Sequence, residues 1–309
     1  MLQGVFPDSV LQMGTIFLSI IIEALPFVLF GCFVAGILHV YLTPERVQKL
    51  LPKNKFGSIL VGSCIGFFFP SCECGIVPIV HKFIEKKVPP HTAFAFMMTA
   101  PIINPVVIFS TYIAFGNTFK FAALRVLGAF LVSILVSSWI AYLYKGKILK
   151  TCSPKEEKEP HGHFHTHDHP HDELENQTAF QKIVSVLDHA IEEFFDTGRY
   201  LIFGSLIASA MQTYLPTKFL YSVTQEKFLA IFLLLVLAFV LSLCSEADAF
   251  IGSSLLSLFG TAPIAAFLIF GPMVDVKNIL LMKRFFHTKF IVKMMTLIFL
   301  TTFIFALFL

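Results

Sequence analysis

Apolar segments long enough to enter a lipid bilayer make up most of this chain. A membrane-spanning helix needs about 20 apolar residues, and nine apolar segments occur here, some shorter and some longer than that. Only 14% of the residues are charged, whereas a soluble domain has about 25%. We therefore expect an all-α polytopic membrane protein, and the composition excludes disordered, collagen-like, coiled-coil and disulfide-scaffold classes. The segments are 10–42, 56–69, 92–115, 121–144, 198–215, 228–243, 249–258, 264–282 and 290–309.

The distribution of Lys and Arg predicts the topology. The second, sixth and seventh segments are too short to cross a bilayer alone. If residues 56–80 and 228–258 form re-entrant hairpins, each returning to the side from which it entered, 17 of the 23 Lys and Arg residues lie in loops on one side. Cytoplasmic loops carry an excess of Lys and Arg. We therefore expect an inner-membrane protein whose N-terminus is outside and whose residues 145–182 are cytoplasmic.

The two halves of the chain repeat each other at an offset of 173 residues, at which Glu23 aligns with Asp196 and Glu73 with Glu246. Each half then has three full crossings and one re-entrant broken-helix hairpin, which gives eight hydrophobic elements if hairpins count as spans. Because three is odd, the halves insert with opposite orientations. Inverted repeats with paired broken helices are typical of secondary transporters, so we expect two inverted structural repeats.

This repeat divides the chain into three regions. Residues 1–144 form the first transmembrane repeat, 145–179 a His-rich cytoplasmic linker, and 180–309 the second transmembrane repeat. From Phe180 to Phe194, apolar residues recur at helical spacing opposite charged ones. This pattern predicts an interfacial amphipathic helix at the start of the second repeat.

A break in the first hairpin carries the most informative motif. Pro70 and Gly75 bracket Cys72, Glu73 and Cys74. Irregular backbone inside a membrane is tolerated only within protein or beside a water-filled cavity. Thiolates bind soft ions, and a carboxylate at membrane depth indicates function. The motif therefore predicts a substrate site; the alternative is packing thiols and a glutamate that caps a half-helix.

The second hairpin carries equivalent residues, which we expect to face the first motif across the repeat axis. Two later proline breaks, at Pro101 and Pro272, each place a polar residue three positions further on. These residues are ligand candidates, with a kink filled by a side-chain hydrogen bond as the alternative. The predicted substrate-binding residues are Cys72, Glu73, Cys74, Asn104, Cys244, Glu246, Asp248 and Asp275.

Intramembrane acids are also candidates for proton coupling. Two of them lie near the starts of equivalent helices, where snorkelling to the interface is the alternative. Lys277 lies two residues after Asp275, so that the two charges compensate one another. The predicted proton carriers are Glu23, Asp196, Glu73 and Glu246.

A biased tract in the linker alternates histidine with other residues. Such a tract suits divalent metals such as Zn, Ni or Cu, and a solvated linker that binds metal only incidentally is the alternative. No Walker A loop, kinase signature or GxSxG motif occurs, so we expect neither an ATP-driven pump nor an enzyme, and no required cofactor. The predicted metal ligands are His161, His163, His165, His167, His169 and His171.

Four sequence motifs of this chain resemble those of a known family. PSCECGIVPIV and AFMMTAPIINPVVIFST in the first half, with LCSEADAFIGSSLL and AFLIFGPMVDVKN in the second, resemble the predicted permease family that includes YraQ and the organoarsenical efflux permease ArsP. The resemblance covers nearly the whole chain outside 145–182. It implies an inner-membrane permease that exports a small solute, which for ArsP is a trivalent organoarsenical held through cysteines. The site residues that it implies are Cys72, Glu73 and Cys74, with Glu246, Asp248 and Asp275 across from them.

Three hypotheses about function follow. The first is a secondary permease that exports a soft metal ion, metalloid or thiol-reactive solute through Cys72, Cys74 and Cys244, with thiol deprotonation coupled to proton counterflow. The second is a membrane thiol–disulfide electron relay through the same cysteines. The third is a membrane subunit of a larger transport complex, with a second membrane or extracytoplasmic subunit as partner. The net charge of +3 is too small to suggest a nucleic-acid partner.

Overall fold

The computed structural model describes residues 8–41, 51–52, 54–68, 73–150, 179–214, 226–241 and 244–309. In these ranges the regular structure is helical, apart from an antiparallel β-bridge between Leu149 and Phe286. The first half contains α1 (Asp8–Tyr41), α2 (Lys55–Ile65), a 3₁₀ turn (Gly66–Phe68), α3 (Glu73–Glu85), α4 (Pro90–Ile103), α5 (Pro105–Ala114) and α6 (Phe119–Tyr142). The second half contains α7 (Ala179–Tyr214), α8 (Lys227–Leu241), α9 (Ser245–Phe259), α10 (Thr261–Met273), α11 (Val276–Phe285) and α12 (Thr288–Leu307).

Five helical stretches of the described ranges are long and apolar enough to cross a membrane. One lies in α1, two are the single helices α6 and α12, and two are the consecutive pairs α4–α5 and α10–α11. The prediction of an all-α multi-pass membrane protein is therefore confirmed. The stretches are Ser9–Ile37, Pro90–Ala114, Phe119–Tyr142, Thr261–Phe285 and Thr288–Leu307.

Both paired spans break after their prolines rather than at them, since Pro101 and Pro272 lie inside α4 and α10. The first span breaks at Asn104, whose extended backbone (φ −63°, ψ 141°) follows from its position before a proline, where the helical region is disfavoured. The second breaks at Val274, which is also extended (φ −145°, ψ 109°). Each break leaves a new helix N-terminus in the middle of an apolar span.

The helices α2 and α8 are too short to span a bilayer. They have 11 and 15 residues, which corresponds to about 16 and 22 Å, against a hydrocarbon core of about 30 Å. Lys55 Nζ at the start of α2 donates a hydrogen bond to the carbonyl of Ala141 (3.0 Å), at the C-terminal end of α6. Lys227 Nζ at the start of α8 donates to the carbonyl of Leu307 (3.0 Å), at the C-terminal end of α12.

The helices α6 and α12 run in opposite directions. The ring of Tyr144, just after α6, packs against Phe290 at the start of α12, with centroids 5.1 Å apart. The β-bridge between Leu149 and Phe286 joins the same two regions. The C-terminal end of α6 and the N-terminal end of α12 therefore lie together, so α2 and α8 begin at opposite ends of the protein.

The packing of the first half recurs in the second. Helices α2, α3 and α6 pack on α4, and helices α8, α9 and α12 pack on α10. Across the halves, α3 packs on α11 and α9 packs on α5. Residues 92–103 of α4 and 262–273 of α10 are all buried, because a helix that is apolar all round is covered on every side.

The two longest helices, α1 and α7, pack against each other and cover one side of this core. Helix α1 contacts α3, and α7 contacts α11. Gly31 allows α1 to approach α3 closely, because a side chain at this position would place its Cβ 2.3 Å from the carbonyl oxygen of Gly75. The amphipathic segment predicted from Phe180 is the N-terminal part of the continuous helix α7, and it buries Val186 and Ala190.

The start of the predicted linker is tied to the second half. The Lys150 amide donates to the carbonyl of Phe285 (2.9 Å), and the His287 amide donates to that of Ile148 (3.0 Å). Residues 151–178, with the histidine tract, lie outside the described residues. The domain boundaries therefore stay a prediction.

Candidate functional site

A group of charged side chains is buried where the N-termini of α3, α9 and α11 converge. Helix N-termini present unpaired amide groups and a partial positive charge, which stabilises acids in the first turn. Such acids are Glu73 in α3, and Glu246 and Asp248 in α9. We give the name buried ionic cluster to six residues, of which all but the partly exposed Glu246 are buried: Glu73, Arg125, Glu246, Asp248, Asp275 and Lys277.

Lys277 joins the two halves of the cluster. Its ammonium lies 3.7 Å from Glu73 Oε1 and 3.6 Å from Asp275 Oδ2, and all three side chains are about 1% exposed. Direct hydrogen bonds are usually 2.7–3.2 Å long, and both distances exceed this range by about 0.5 Å. The buried side chains of Cys74 and Cys244 lie within electrostatic range of the same ammonium. Lys277 is thus shared among several groups.

Arg125 of α6 is held much more tightly. Its guanidinium donates to the carbonyl of Leu268 (3.0 Å), the hydroxyl of Thr111 (2.8 Å) and the carbonyl of Ser245 (2.9 Å). It also interacts electrostatically with Asp248 and with the two glutamates of the cluster. Because these partners lie on α5, α9 and α10, Arg125 ties three helices to α6.

Sequence reasoning did not predict a role for Arg125. The available signal was its position: it lies in an otherwise apolar span, Phe119–Tyr142, and an arginine at membrane depth indicates a buried partner. The same reasoning recognised Lys277 only as compensating Asp275, and did not foresee its contact with Glu73.

The residues at the two span breaks cap the helices that follow. Asn104 Oδ1 accepts hydrogen bonds from the amides of Val106 (2.7 Å) and Val107 (3.2 Å). Asp275 Oδ1 accepts from the amide of Asn278 (2.5 Å), while its Oδ2 faces Lys277. Asn104 therefore makes the side-chain hydrogen bonds of the alternative to ligand binding, whereas Asp275 both caps α11 and belongs to the cluster.

The structure brings six of the eight predicted substrate-binding residues together around the two cations: Glu73, Cys74, Cys244, Glu246, Asp248 and Asp275. Cys72, the histidine tract, and the side chains of Glu23 and Asp196 lie outside the described residues. Among the residues that are described, no three His, Cys, Asp or Glu side chains form a group that could hold a metal ion.

The composition of the cluster favours positively charged ligands. It contains four carboxyl groups and two basic groups, so it carries two excess negative charges when all are ionised. A charge that is buried without a counter-charge is strongly unfavourable. A cation or two protons would neutralise the excess.

Comparison with known proteins agrees with this membrane architecture. Residues 9–309 match the family model ArsP_1, described as "Predicted permease". The chain is 54% identical over 287 residues to a Streptococcus mutans protein named as a subunit of a two-component membrane permease complex, covering 93% of this chain and 91% of that protein.

A second relative is the UPF0718 protein YcgR of Bacillus subtilis, which is 43% identical over 292 residues, covering 94% of each chain. No solved structure matches the chain. The family match extends over almost the whole sequence and includes both halves of the buried ionic cluster. The protein is therefore a member of the ArsP_1 family of predicted permeases.

Proposed function

We propose that this protein is a secondary permease and that its transport site is the buried ionic cluster. The observation that carries the proposal is that Glu73 from the first half and Asp275 from the second share one buried lysine, at 3.7 and 3.6 Å. Charges at membrane depth are costly and mark substrate and ion pathways. A lysine shared at this distance can shift between its acids when a proton or a cation binds.

We further propose that the two halves are inverted repeats, each with one re-entrant hairpin. Three observations support this: the helices follow the same order in both halves, the packing around α4 recurs around α10, and α2 and α8 begin at opposite ends. In such transporters the site lies where the broken helices meet, and the repeats alternately open it to either side. The N-terminus would then be outside.

The proposed substrate is a soft metal ion, metalloid or thiol-reactive solute that is exported from the cytoplasm. Cys74 and Cys244 are buried within electrostatic range of Lys277, and Cys72 precedes Glu73 in the sequence. Thiolates are the preferred ligands of soft ions, and a thiol releases its proton when it binds one. The predicted acids would carry the counterflowing protons: Glu73 and Glu246, with Glu23 and Asp196.

Tolerance assays test this substrate class. Cells without other exporters would carry the wild type, Cys72→Ser/Cys74→Ser or, as matched control, Cys64→Ser, whose thiol is exposed. The probes are a trivalent organoarsenical, Zn²⁺, Ni²⁺ and Cu⁺. We expect the double variant to be as sensitive as cells without the protein, and the control to be as tolerant as wild type. Equal tolerance of all strains to every probe would overturn the proposed substrate.

A thiol–disulfide relay is the second candidate, because the site contains two cysteines, Cys74 and Cys244, within electrostatic range of the same lysine. Electrons would enter as a partner dithiol reduces a disulfide of this chain, through a mixed disulfide. Trapping of thiols in growing cells separates the two candidates. A mixed disulfide with a redox partner supports the relay, and permanently reduced thiols exclude it.

We also propose that the protein works as one subunit of a two-component membrane complex. This proposal is supported by the Streptococcus mutans relative, whose name describes such a subunit. Transport by the purified protein alone in vesicles would contradict it.

The histidine tract is proposed to bind Zn²⁺, Ni²⁺ or Cu²⁺. Its support is compositional, since six histidines alternate with other residues and imidazole suits these ions. Equilibrium binding of Zn²⁺ and Ni²⁺ to the purified protein, with and without residues 155–175, tests it. We expect the deletion to lower the number of Zn²⁺ and Ni²⁺ ions bound per chain, and an unchanged number would contradict the assignment.

A further inference from the structure

We propose that the contact between α3 and α11 is the cytoplasmic entrance to the buried ionic cluster, and that His81 passes protons through it. The proposal rests on the transport site proposed above, and adds the route by which protons move between that site and the cytoplasm. We call this contact the α3–α11 seam and define it by three residue pairs: Glu73 with Lys277, Val77 with Leu281, and His81 with Phe285.

The two helices of the seam run parallel and in register. At its inner end, Glu73 Oε1 lies 3.7 Å from Lys277 Nζ. Eight residues further along each helix, the rings of His81 and Phe285 stack, with centroids 4.1 Å apart and planes inclined by 25°. Eight residues of an α-helix rise about 12 Å, so the seam leads over this distance from the cluster toward the last turn of α3.

An apolar layer lies between the two ends of the seam. Val77 and Leu281 follow Glu73 and Lys277 by four residues, and residues four apart share a helix face. Both apolar side chains are fully buried. A constriction lined by apolar side chains excludes water and closes a pathway to ions. The layer therefore separates the cluster from His81.

The outer end of the seam reaches the protein surface. The His81 side chain is 17% exposed, and its Nε2 lies 3.3 Å from Oε1 of Glu85, whose side chain is 39% exposed. The other ring nitrogen, Nδ1, is buried and has no hydrogen-bond partner in the part of the chain that the structure describes. A neutral imidazole can take up a proton at one nitrogen and release it from the other. His81 can therefore exchange protons with solution through Glu85 and present them at a buried nitrogen.

The charges around His81 favour the passage of a proton rather than its retention. Two cations lie within electrostatic range of the imidazole, and a lasting positive charge beside them is unfavourable. The carboxylate that faces the ring is shared with one of these cations, at 2.9 Å. The charged and titratable groups are Lys82 and Glu85 on α3, Arg284 on α11 and, within range of Lys82, His189 on α7.

The outer end of the seam lies on the side that is predicted to be cytoplasmic. The Lys150 amide donates to the carbonyl of Phe285 (2.9 Å), so this end lies beside the start of the linker. Cytoplasmic loops are rich in Lys and Arg, and the ends of α3 and α11 contain several. These residues are Lys82, Lys86, Lys87, Lys283 and Arg284.

The seam also lies on the boundary between the two halves of the protein. Helix α3 packs on α1 of its own half, and α11 packs on α7 of its own half. Rocking of one repeat against the other gives alternating access in transporters with inverted repeats. Such a movement would part Val77 from Leu281 and admit water from the cytoplasm to the cluster.

Proton leakage through everted membrane vesicles tests the apolar layer. The cytoplasmic face of these vesicles is outside, and a pH-sensitive dye reports how fast an imposed pH gradient decays. We expect Val77→Ala/Leu281→Ala to dissipate the gradient about tenfold faster than wild type, which corresponds to a barrier lower by about 1.4 kcal/mol. Val80→Ala/Met282→Ala is the matched control and should behave as wild type, because Val80 and Met282 are equally buried on the same helices but belong to no pair of the seam.

A second pair of variants keeps the side-chain shape, so that the test does not depend on whether the double variants reach the membrane. Val77→Thr adds a hydroxyl group that water can bind, and should also leak faster than its control, Val80→Thr. Decay at the wild-type rate in the seam variants would overturn the entrance. Equally fast decay in the seam variants and their controls would overturn it too, since loosened packing would then be the cause.

Rescue by imidazole tests the role of His81. Uptake of the probe that wild-type protein exports would be measured in the same vesicles for His81→Ala. The control is His91→Ala, because His91 hydrogen-bonds to Ser58 outside the seam. We expect uptake to fall in His81→Ala alone, and imidazole added outside to restore it by carrying protons in the vacated space. Normal uptake in His81→Ala, or a loss that imidazole does not restore, would overturn this role.

The decay of the pH gradient needs no substrate, so the failure of this proposal differs from the failure of the transport site. If the seam variants leak and Glu73→Gln abolishes export of the probe, both proposals stand. If they leak while Glu73→Gln still exports the probe, only the transport site is wrong. If they do not leak and Glu73→Gln abolishes export, only the entrance is wrong.

Discussion

Helices α3 and α9 each carry a buried acid in their first turn, but the protein holds the two acids in different ways. In the first half, Glu73 is buried and faces Lys277 at 3.7 Å. In the second half, Asp248 interacts electrostatically with Arg125, whose three hydrogen bonds are 2.8–3.0 Å long. The buried acids of the two halves therefore differ in their bonding.

The two basic side chains differ in how firmly they are held: Arg125 is fixed in place, whereas Lys277 can adjust. Arg125 donates to two backbone carbonyls and a hydroxyl, so it cannot move without leaving buried acceptors unpaired. Lys277 has no such bond at direct distance to its two acids, and its environment can change as they gain or lose protons. We infer that Arg125 fixes the position of α9 and that Lys277 responds when a ligand binds.

The largest loss of stability is expected when Arg125 is replaced. Arg125→Met should lower the free energy of unfolding by about 3–5 kcal/mol, because it leaves three buried hydrogen-bond acceptors without their donor and the buried Asp248 without the positive charge with which it interacts. Lys277→Met should lower the free energy of unfolding by a smaller amount, since the acids that Lys277 faces can take up protons instead. Thermal unfolding of the purified variants in one detergent measures both.

A double variant tests whether the unpaired acid causes the loss of stability in Arg125→Met. Arg125→Met/Asp248→Asn should be more stable than Arg125→Met alone, because the unpaired acid is gone. Arg125→Lys should fall between wild type and Arg125→Met, since a lysine keeps the charge but not the planar fork. Equal stability of Arg125→Met and Lys277→Met would contradict the distinction between anchor and adjustable contact.

The next largest loss of stability is expected where α1 packs against α3. Gly31→Ala places a Cβ 2.3 Å from a backbone oxygen of Gly75, so helix α1 must shift, and overpacking of this kind costs about 1–3 kcal/mol. Gly204→Ala meets Lys277 Cα at 3.1 Å and should cost less. Thermal unfolding under the same conditions ranks the two variants.

Gly198→Ala is the matched control on α7, because nothing lies within 4 Å of its Cβ position. It should leave stability unchanged or raise it by up to about 1 kcal/mol, the difference in helix propensity between the two residues. A loss in Gly198→Ala as large as that in Gly31→Ala would show that the contact between α1 and α3 is not the cause.

The smallest effect on stability is expected at the span breaks. Asn104→Ala removes the acceptor for two amides of α5 and should cost about 1 kcal/mol, as is usual for an N-cap. Asp275→Asn keeps a capping oxygen but removes the charge that faces Lys277. It should therefore be the more stable of the two variants and yet the more impaired in transport, as measured by unfolding and tolerance assays in parallel. The opposite ranking in either assay would contradict these roles.

The breaks and the acids of the hairpins could be predicted from the sequence because their signals are local. Proline, glycine and an isolated acid within an apolar run indicate a helix break wherever they occur. The breaks lie three residues after Pro101 and two after Pro272, since both prolines fit into the last turn of their helices. The residues that cap the next helix mark the break more accurately.

The pairing of charges could not be predicted, because it depends on contacts that are distant in sequence. Arg125 bonds to residues 120 and 143 positions away, and no local pattern indicates which acid it meets. The sequence repeat also could not tell which hairpin α1 and α7 cover. The two halves are equivalent in sequence pattern, so only their packing distinguishes the sides.

Transport by Glu73→Gln, compared with Glu85→Gln, tests the central claim most directly. Both residues lie on α3, but Glu73 belongs to the buried ionic cluster, whereas Glu85 is exposed and pairs with Lys82. Tolerance to the probe that wild-type protein exports would be measured in cells with equal amounts of each variant in the membrane. We predict that Glu73→Gln loses tolerance and Glu85→Gln keeps it. Full tolerance in Glu73→Gln would contradict the assignment of the cluster as the transport site.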